Sequence, residues 1–261
     1  MKLAQGFLCS LLFGTMAQAN EINLSWQWQS ADGQQKHLQL TADERTFSAS
    51  RHEMTQLDTA LNFPLETLYS YISPRLYNSI NQINQHSPET ATKFRNLEQA
   101  FTLHDSSLES AQFWQAYRQY QEDAFYEMRV QPCVHPANQK LPCVRPNYSQ
   151  LFYQFKGDLK PLAQQFSAKD LATSVILLQE WLSGIPTPPE QMDHFAPPLQ
   201  ALQDNKADSD EKALLMASLL AELAPQYSLS IIYPNISIGS VSPAWLAITA
   251  DSGLEGDLSL I

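Results

Sequence analysis

The sequence DSDEKALLMASLLAEL, residues 208–223, decides the fold of this chain. It begins with Asp208, and Glu211 follows three residues later, which is the spacing of a capping box at the start of a helix. Apolar residues then occupy most positions on every side of the predicted helix. A helix that is apolar on most faces is buried in the folded protein, so the rest of the chain must supply the elements that surround it.

The segments on both sides of this helix predict another helix and two strands. Upstream, Ser167-Ala-Lys-Asp170 has the pattern of a capping box, and apolar residues recur at helical spacing from Leu171 to Leu182. The run Gly184–Pro189 ends that helix, because glycine and proline disfavour its continuation. Downstream, residues 228–233 and 244–249 are rich in apolar and β-branched residues, so they predict strands.

The N-terminal half predicts a β-hairpin followed by helices. Apolar and polar residues alternate from Ile22 to Trp28, and Asp32-Gly33 favours a turn. From residue 62 to about residue 130 apolar residues recur at helical spacing, and Pro74 is expected to break or kink this region. The aromatic residues of segment 113–126 favour core packing, although such a stripe also occurs in carbohydrate platforms.

Two cysteines, Cys133 and Cys143, lie in the proline-rich segment 131–146. In an oxidising compartment such a pair forms a disulfide. Closing so short a loop stabilises the folded state by roughly 2–3 kcal/mol. A metal site that uses His135 is the alternative, but a structural zinc site needs four ligands and the segment offers three.

Residues 1–19 have the pattern of a cleaved signal peptide. A lysine precedes the apolar run Leu3–Met16, and Ala17-Gln-Ala19 matches the small-x-small pattern, which predicts cleavage before Asn20. The run is too short to cross a bilayer, which takes about 20 apolar residues. Cys9 follows Phe-Leu, whereas a lipid-acceptor cysteine normally follows a small residue. The protein is therefore predicted to be periplasmic or secreted, with no integral membrane segment after cleavage.

Composition limits the class of partner. The chain is 44% apolar, which is enough for a core, and its 27 acidic and 16 basic residues give a net charge of −11. An acidic balance argues against nucleic acid and against anionic membranes as partners. The proline-rich segment predicts a boundary between an N-terminal region, residues 20–146, which holds the hairpin, the helices and the disulfide loop, and a C-terminal domain, residues 147–261.

Residues 167–249 resemble the core of the bacterial transglutaminase-like superfamily, which shares the papain-like cysteine protease fold. In that family the buried helix opens with Gly-Asp-Cys-(Glu/Asp)-Asp-Lys, and the matching run here is Ala207–Ala217. Gln179–Ile185 resembles the helix that precedes the substrate loop of the family, and Trp26-x-Trp28 with Asp32-Gly33 resembles segments that precede some members. The resemblance implies an α+β fold, in which a helix-rich N-terminal extension is followed by a buried helix packed on an antiparallel sheet.

The family uses a cysteine at the start of this helix, a histidine on a following strand and an acid on the next strand. Here Ser209 stands at the cysteine position, and all six histidines precede it. An acid such as Asp251 or Asp257 therefore has no imidazole to orient. The resemblance implies a degenerate member without catalytic residues or cofactor, in which Asp208 and Glu211 only cap the helix.

We therefore expect a pseudoenzyme that binds a peptide, a protein or a cell-wall fragment in a groove near Ser209 and residues 185–207. The candidate binding residues are Trp181, His194, Ser209 and Trp245.

Three alternatives remain open. An active serine hydrolase or acyltransferase would use Ser209 with His194 as its base, although no Gly-x-Ser-x-Gly elbow is present. A metal site would use Asp204, Asp208, Asp210 and Glu211, but their spacing does not fit a calcium-binding loop. In the third, the chain is an exported helical protein unrelated to the family.

Overall fold

The structure is a computed structural model that describes residues 21–53, 60–61, 63–91, 93–104, 107–135, 137–188, 195–232 and 245–248. The predicted signal peptide lies outside these residues. The fold is α+β with small antiparallel sheets, as predicted. No helix in the described ranges combines the length and the apolar character that crossing a bilayer requires.

The N-terminal hairpin forms as the alternating sequence predicts. Strand β1, Glu21–Gln29, pairs antiparallel with β2, Gln35–Asp43, without a break in register. Gly33 has a φ of +81° in the turn, a conformation that glycine adopts without steric cost. One face of the hairpin buries Trp26, and its indole N–H donates to Asn205 Oδ1 at 3.1 Å. Helix α1, Glu44–Glu53, follows.

Three helices fill the middle of the chain: α2, Leu65–His86; α3, Leu97–Thr102; and α4, Leu108–Glu127. Pro74 lies inside α2 and does not end it. Because proline has no N–H, the carbonyl of Ser70 loses its hydrogen bond within the helix. Ser70 and Pro74 are both exposed, so water is able to bond this carbonyl. In the aromatic segment of α4, Phe113 is fully buried and packs against Phe101.

A three-stranded antiparallel sheet has the order β3-β5-β4, with β3 at Ala60–Leu61, β4 at Val130–Pro132 and β5 at Cys143–Pro146. Cys133 and Cys143 form the predicted disulfide, with their Cα atoms 5.1 Å apart. The buried His135 accepts hydrogen bonds at Nδ1 from the backbone N–H of Ala137 and of Asn138, at 3.1 and 3.2 Å. This imidazole therefore stabilises the turn inside the disulfide loop.

The described residues of the C-terminal part form five helices and a two-stranded antiparallel sheet. They are α5, Tyr148–Phe155; α6, Lys160–Gln164; α7, Leu171–Gly184; α8, Pro198–Asp204; α9, Ser209–Leu223; β6, Leu229–Ile232; and β7, Trp245–Ile248. Helix α9 is buried over most of its length and contacts both strands. The predicted capping box at residues 167–170 is not the start of α7. Asp170 is itself the N-cap, because its side chain accepts from the backbone N–H of Thr173 at 2.7 Å.

The buried apolar side chains form two clusters. The first joins the hairpin to helices α5–α9, and the second joins α2, α3 and α4. At their contact, Phe63, Phe125 and Met128 pack against both clusters. The hairpin thus shares a hydrophobic core with the C-terminal helices. The domain boundary at residue 146 stays a prediction.

Candidate functional site

The candidate site lies at the start of α9, where residues 208–212 form what we call the helix-start cluster. Asp208 Oδ1 accepts from the backbone N–H groups of Asp210 and Glu211, at 3.2 and 3.4 Å. Glu211 Oε2 accepts in return from the Asp208 backbone N–H at 2.8 Å. The predicted capping box is therefore present, and it fixes the first turn of the helix.

The same cluster holds the chain that precedes α8. The second carboxyl oxygen of Glu211 accepts from the backbone N–H of Ala196, and Lys212 Nζ donates to Thr187 Oγ1 at 3.3 Å. The side chains of Glu211 and Lys212 are both buried, with 4% exposure each. Since Thr187 and Ala196 lie on either side of residues 189–194, the cluster anchors both ends of that segment.

Tyr148, at the start of α5, completes the cluster from the other side. Its phenol O–H donates to Asp210 Oδ2, and its ring packs edge-on against Phe195 with the ring centroids 5.6 Å apart. Asn147 caps α5 by accepting from the Gln150 backbone N–H at 3.2 Å. The buried Tyr148 thus links a third helix to the helix-start cluster.

Burial sets the electrostatics of the cluster. The pKa of Glu211 is raised to about 7, mainly by burial and also by the nearby Asp208 carboxylate, while the two backbone N–H donors oppose the change. Burial also raises the pKa of Asp210 well above its ordinary value, with the neighbouring Asp208 acting in the same direction. Burial lowers the pKa of Lys212. Each shift favours the neutral form of its group, so the cluster carries less charge near neutral pH than its sequence indicates.

Ser209 occupies the first turn of α9 and is partly exposed. Among the described residues no hydrogen bond engages its hydroxyl. Each histidine whose side chain the structure describes has its contacts elsewhere. His37 approaches Gln39, His86 bonds the Gln82 carbonyl, His104 stacks on Trp114 and His135 accepts within its own turn.

Three further predicted residues, His194, Asp251 and Asp257, lie outside the described residues. Of Trp245, another predicted residue, the structure describes only the backbone, which begins β7.

Trp181 lies in the first hydrophobic cluster. Its ring makes an edge contact with Trp26 at a centroid distance of 5.5 Å and a tilted contact with Phe166 at 5.2 Å, and only 2% of the residue is exposed. A ring with so little exposed surface packs the core under the hairpin. Trp181 therefore has a core position, and its side chain offers almost no surface to a ligand.

Two members of the site were missed from the sequence, Tyr148 and Lys212. Lys212 follows the capping box in a helix that is otherwise almost entirely apolar, and a buried lysine must find a polar partner. That signal was present in the sequence. The position of Tyr148 depends on how α5 packs on α9, 62 residues away in the chain, and no local pattern reports it.

No metal-binding arrangement of His, Cys, Asp and Glu side chains occurs in the part of the chain that the structure describes. The carboxylates at the start of α9 are bound instead to backbone N–H groups and to Tyr148. Comparison of the chain with protein-family models, with curated proteins and with solved structures finds no match.

Proposed function

We propose that this chain is an exported, catalytically inactive module with a transglutaminase-like core that binds a peptide, a protein or a cell-wall fragment. The contact surface would be the exposed side of the first turn of α9, around Ser209, with the anchored chain before α8. The main support for the proposal is the bonding of Glu211, whose carboxyl group accepts hydrogen bonds from the backbone N–H groups of Ala196 and Asp208.

These hydrogen bonds argue against catalysis, because they engage the Glu211 carboxyl group and leave Ser209 without a general base among the described residues. A serine hydroxyl becomes a nucleophile when a general base lies within hydrogen-bond reach. Around Ser209 the carboxyl groups of Asp208 and Glu211 serve as acceptors for backbone N–H groups, and Asp210 accepts from Tyr148. The polar groups nearest to the serine are thus engaged in stabilising the loop and the helix.

The same contacts favour binding because they preorganise the surface. Thr187 and Ala196 are held to one helix turn by Lys212 and Glu211, so these two positions lose little freedom when a ligand contacts them. Binding is tighter when the contact surface is already ordered in the free protein, because less conformational entropy is lost on binding. Burial favours the neutral forms of Glu211 and Asp210, so a polar, uncharged ligand suits the surface better than a strongly charged one.

Two assays test this proposal. Purified protein is expected to turn over no amide or ester substrate and to resist a fluorophosphonate probe, with the Ser209→Ala variant indistinguishable from wild type. Soluble peptidoglycan fragments and a peptide library are then screened by NMR, and Ser209→Trp is expected to weaken any binding found. Ser149→Trp is the matched control, because Ser149 is also an exposed serine in the first turn of a capped helix.

Turnover that disappears in the Ser209→Ala variant would overturn the assignment as a pseudoenzyme. Unchanged binding in the Ser209→Trp variant would show that the contact surface lies elsewhere, and equal loss in both tryptophan variants would show that the loss is not specific to Ser209.

A serine hydrolase or acyltransferase is the second candidate, and one contact favours it. His194 directly precedes Phe195 in sequence, and Phe195 packs on Tyr148, which bonds Asp210 next to Ser209. An imidazole attached to this anchored chain would supply the missing base. In that case His194→Ala and Ser209→Ala abolish the same activity, whereas His86→Ala leaves it unchanged.

A further inference from the structure

The two lateral edges of the hairpin differ. On β2, the Gln165 side chain accepts from the Gln39 backbone N–H at 3.3 Å and donates to the Gln39 carbonyl at 2.5 Å. The amide group of Gln165 thus takes the place of a neighbouring strand. On β1, the described residues provide no such cover, and the strand pairs only with β2 in a two-stranded sheet.

The contact with Gln165 fixes which backbone groups of β1 face outward. Gln39 directs its N–H and C=O away from β1, so its pair with Ser25 is a pair without hydrogen bonds between the strands. Such pairs alternate along an antiparallel ladder. The backbone N–H and C=O groups of Glu21, Asn23, Ser25, Gln27 and Gln29 therefore all point to the open edge.

Within the part of the chain that the structure describes, strand β1 lacks the features that natural proteins use to protect an edge. It is nine residues long, it contains no proline and no lysine, and its register with β2 has no bulge. The side chains of the same five residues are exposed, and Glu21 is the one charged residue among them. An open, regular edge of this length is a template for another strand.

We propose that β1 pairs with β1 of a second copy of this chain, in an antiparallel arrangement centred on Ser25. The outward groups then meet as hydrogen-bonded pairs: Ser25 with Ser25, Asn23 with Gln27, and Glu21 with Gln29 of the other copy. The result is a four-stranded antiparallel sheet with two-fold symmetry, which gives both copies the same contact surface. This interface goes beyond the proposed function and does not depend on it.

The side chains of β1 favour a second copy as the occupant, because they are self-complementary in this register. The chain has a net charge of −11, and such a charge generally opposes self-association. In this register, however, the charged Glu21 faces the neutral Gln29 of the other copy, and the pairs between them are uncharged. The remaining side chains of β1 also match, because Leu24 lies opposite Trp26 and Ile22 lies opposite Trp28. The register thus brings no like charges together, which would disfavour the pairing.

A cross-linking experiment tests the register directly. In a Cys9→Ser background, the Ser25→Cys variant places two thiols in a hydrogen-bonded pair, where Cα atoms are about 5.5 Å apart and a disulfide bridges roughly 4.4–6.8 Å. Mild oxidation is expected to convert most of this variant to a covalent dimer. The Asn23→Cys variant is the matched control, because residues 23 of the two copies lie about 13 Å apart along the strands. Mixing Asn23→Cys with Gln27→Cys restores the cross-link.

The oligomeric state provides the second measurement. Sedimentation equilibrium is expected to show a dimer for wild type and for Ser25→Thr, and Ser25→Lys is expected to weaken the dimer at least about tenfold, because two lysines then face each other. A wild type that stays monomeric at high micromolar concentration overturns the proposal. So does a dimer that Ser25→Lys leaves unchanged, or an Asn23→Cys variant that cross-links as readily as Ser25→Cys.

Discussion

Helices α7 and α9 pack against each other and begin in the same way, yet their first turns differ in electrostatics. Asp170 is exposed, and the hydrogen bonds from Thr173 lower the pKa of its carboxyl group. At α9, burial raises the pKa of Glu211 to about 7. The comparison teaches that a capping motif predicts where a helix begins, whereas burial decides whether its acids are charged.

The largest expected effect comes from removing the buried acid. At pH 5, Glu211→Ala is expected to lower the free energy of unfolding by about 4 kcal/mol, because the backbone N–H groups of Ala196 and Asp208 lose their acceptor and buried donors are costly to leave unpaired. Urea denaturation measures the change. Ser209→Ala, two positions away on a partly exposed surface, is the matched control and is expected to stay within about 0.5 kcal/mol of wild type.

A change of pH is expected to have an intermediate effect on the free energy of unfolding. Between pH 4.5 and 7 the unfolded chain ionises Glu211 while the folded protein keeps it protonated, so the free energy of unfolding falls as pH rises through this window. The raised pKa of Asp210 acts in the same direction. We expect a loss of about 2–3 kcal/mol between pH 4.5 and 7.5, since one pKa unit corresponds to about 1.4 kcal/mol.

Glu211→Gln sharpens this test, because the amide does not titrate. Urea midpoints of this variant should change much less between pH 4.5 and 7.5 than those of wild type. If the two proteins show the same pH dependence, the carboxyl group of Glu211 is not the group that titrates.

The smallest effect is expected at the exposed cap. Asp170→Ala should destabilise the protein less than Glu211→Ala at pH 5, because water replaces the lost partner of the Thr173 N–H. Its pH dependence also has the opposite sign. A lowered pKa stabilises the folded state above the ordinary value of 3.8, and this stabilisation is lost as pH falls through the folded value. Thermal denaturation at pH 3 and pH 6, for wild type and variant, measures both features.

The sequence predicted those parts of the fold that have a local periodic signal. The alternation in Ile22–Trp28 gave the hairpin, and the capping box with its apolar run gave α9. Pro74 does not break α2, and the alternative of a kink stays a prediction. The solvent exposure of Ser70, which lets a helix tolerate proline, is a property of the packed molecule. At α7 the predicted start at Leu171 is confirmed, but the N-cap is Asp170 and not Ser167, since both are good capping residues.

The site was harder to predict than the fold because its contacts join distant parts of the chain. The Tyr148–Asp210 bond spans 62 residues and the Thr187–Lys212 bond spans 25. A capping box reports on four consecutive residues, so it located the start of α9 but not the groups that surround it. The core position of Trp181 likewise depends on Trp26, which lies on a strand at the other end of the chain.

The bond between Trp26 and Asn205 has a consequence for the time course of synthesis. The two residues are 179 positions apart, and a ribosome that adds about 5–20 residues per second needs about 10–40 s to cover that distance. Until Trp181 has been synthesised, the hairpin lacks the ring of α7 that packs on Trp26, and until Asn205 has been synthesised it lacks the hydrogen-bond acceptor of the Trp26 indole. The nascent protein therefore exposes part of the apolar side of its hairpin to chaperones during this interval, and the packing of the hairpin is completed only after Asn205 has emerged.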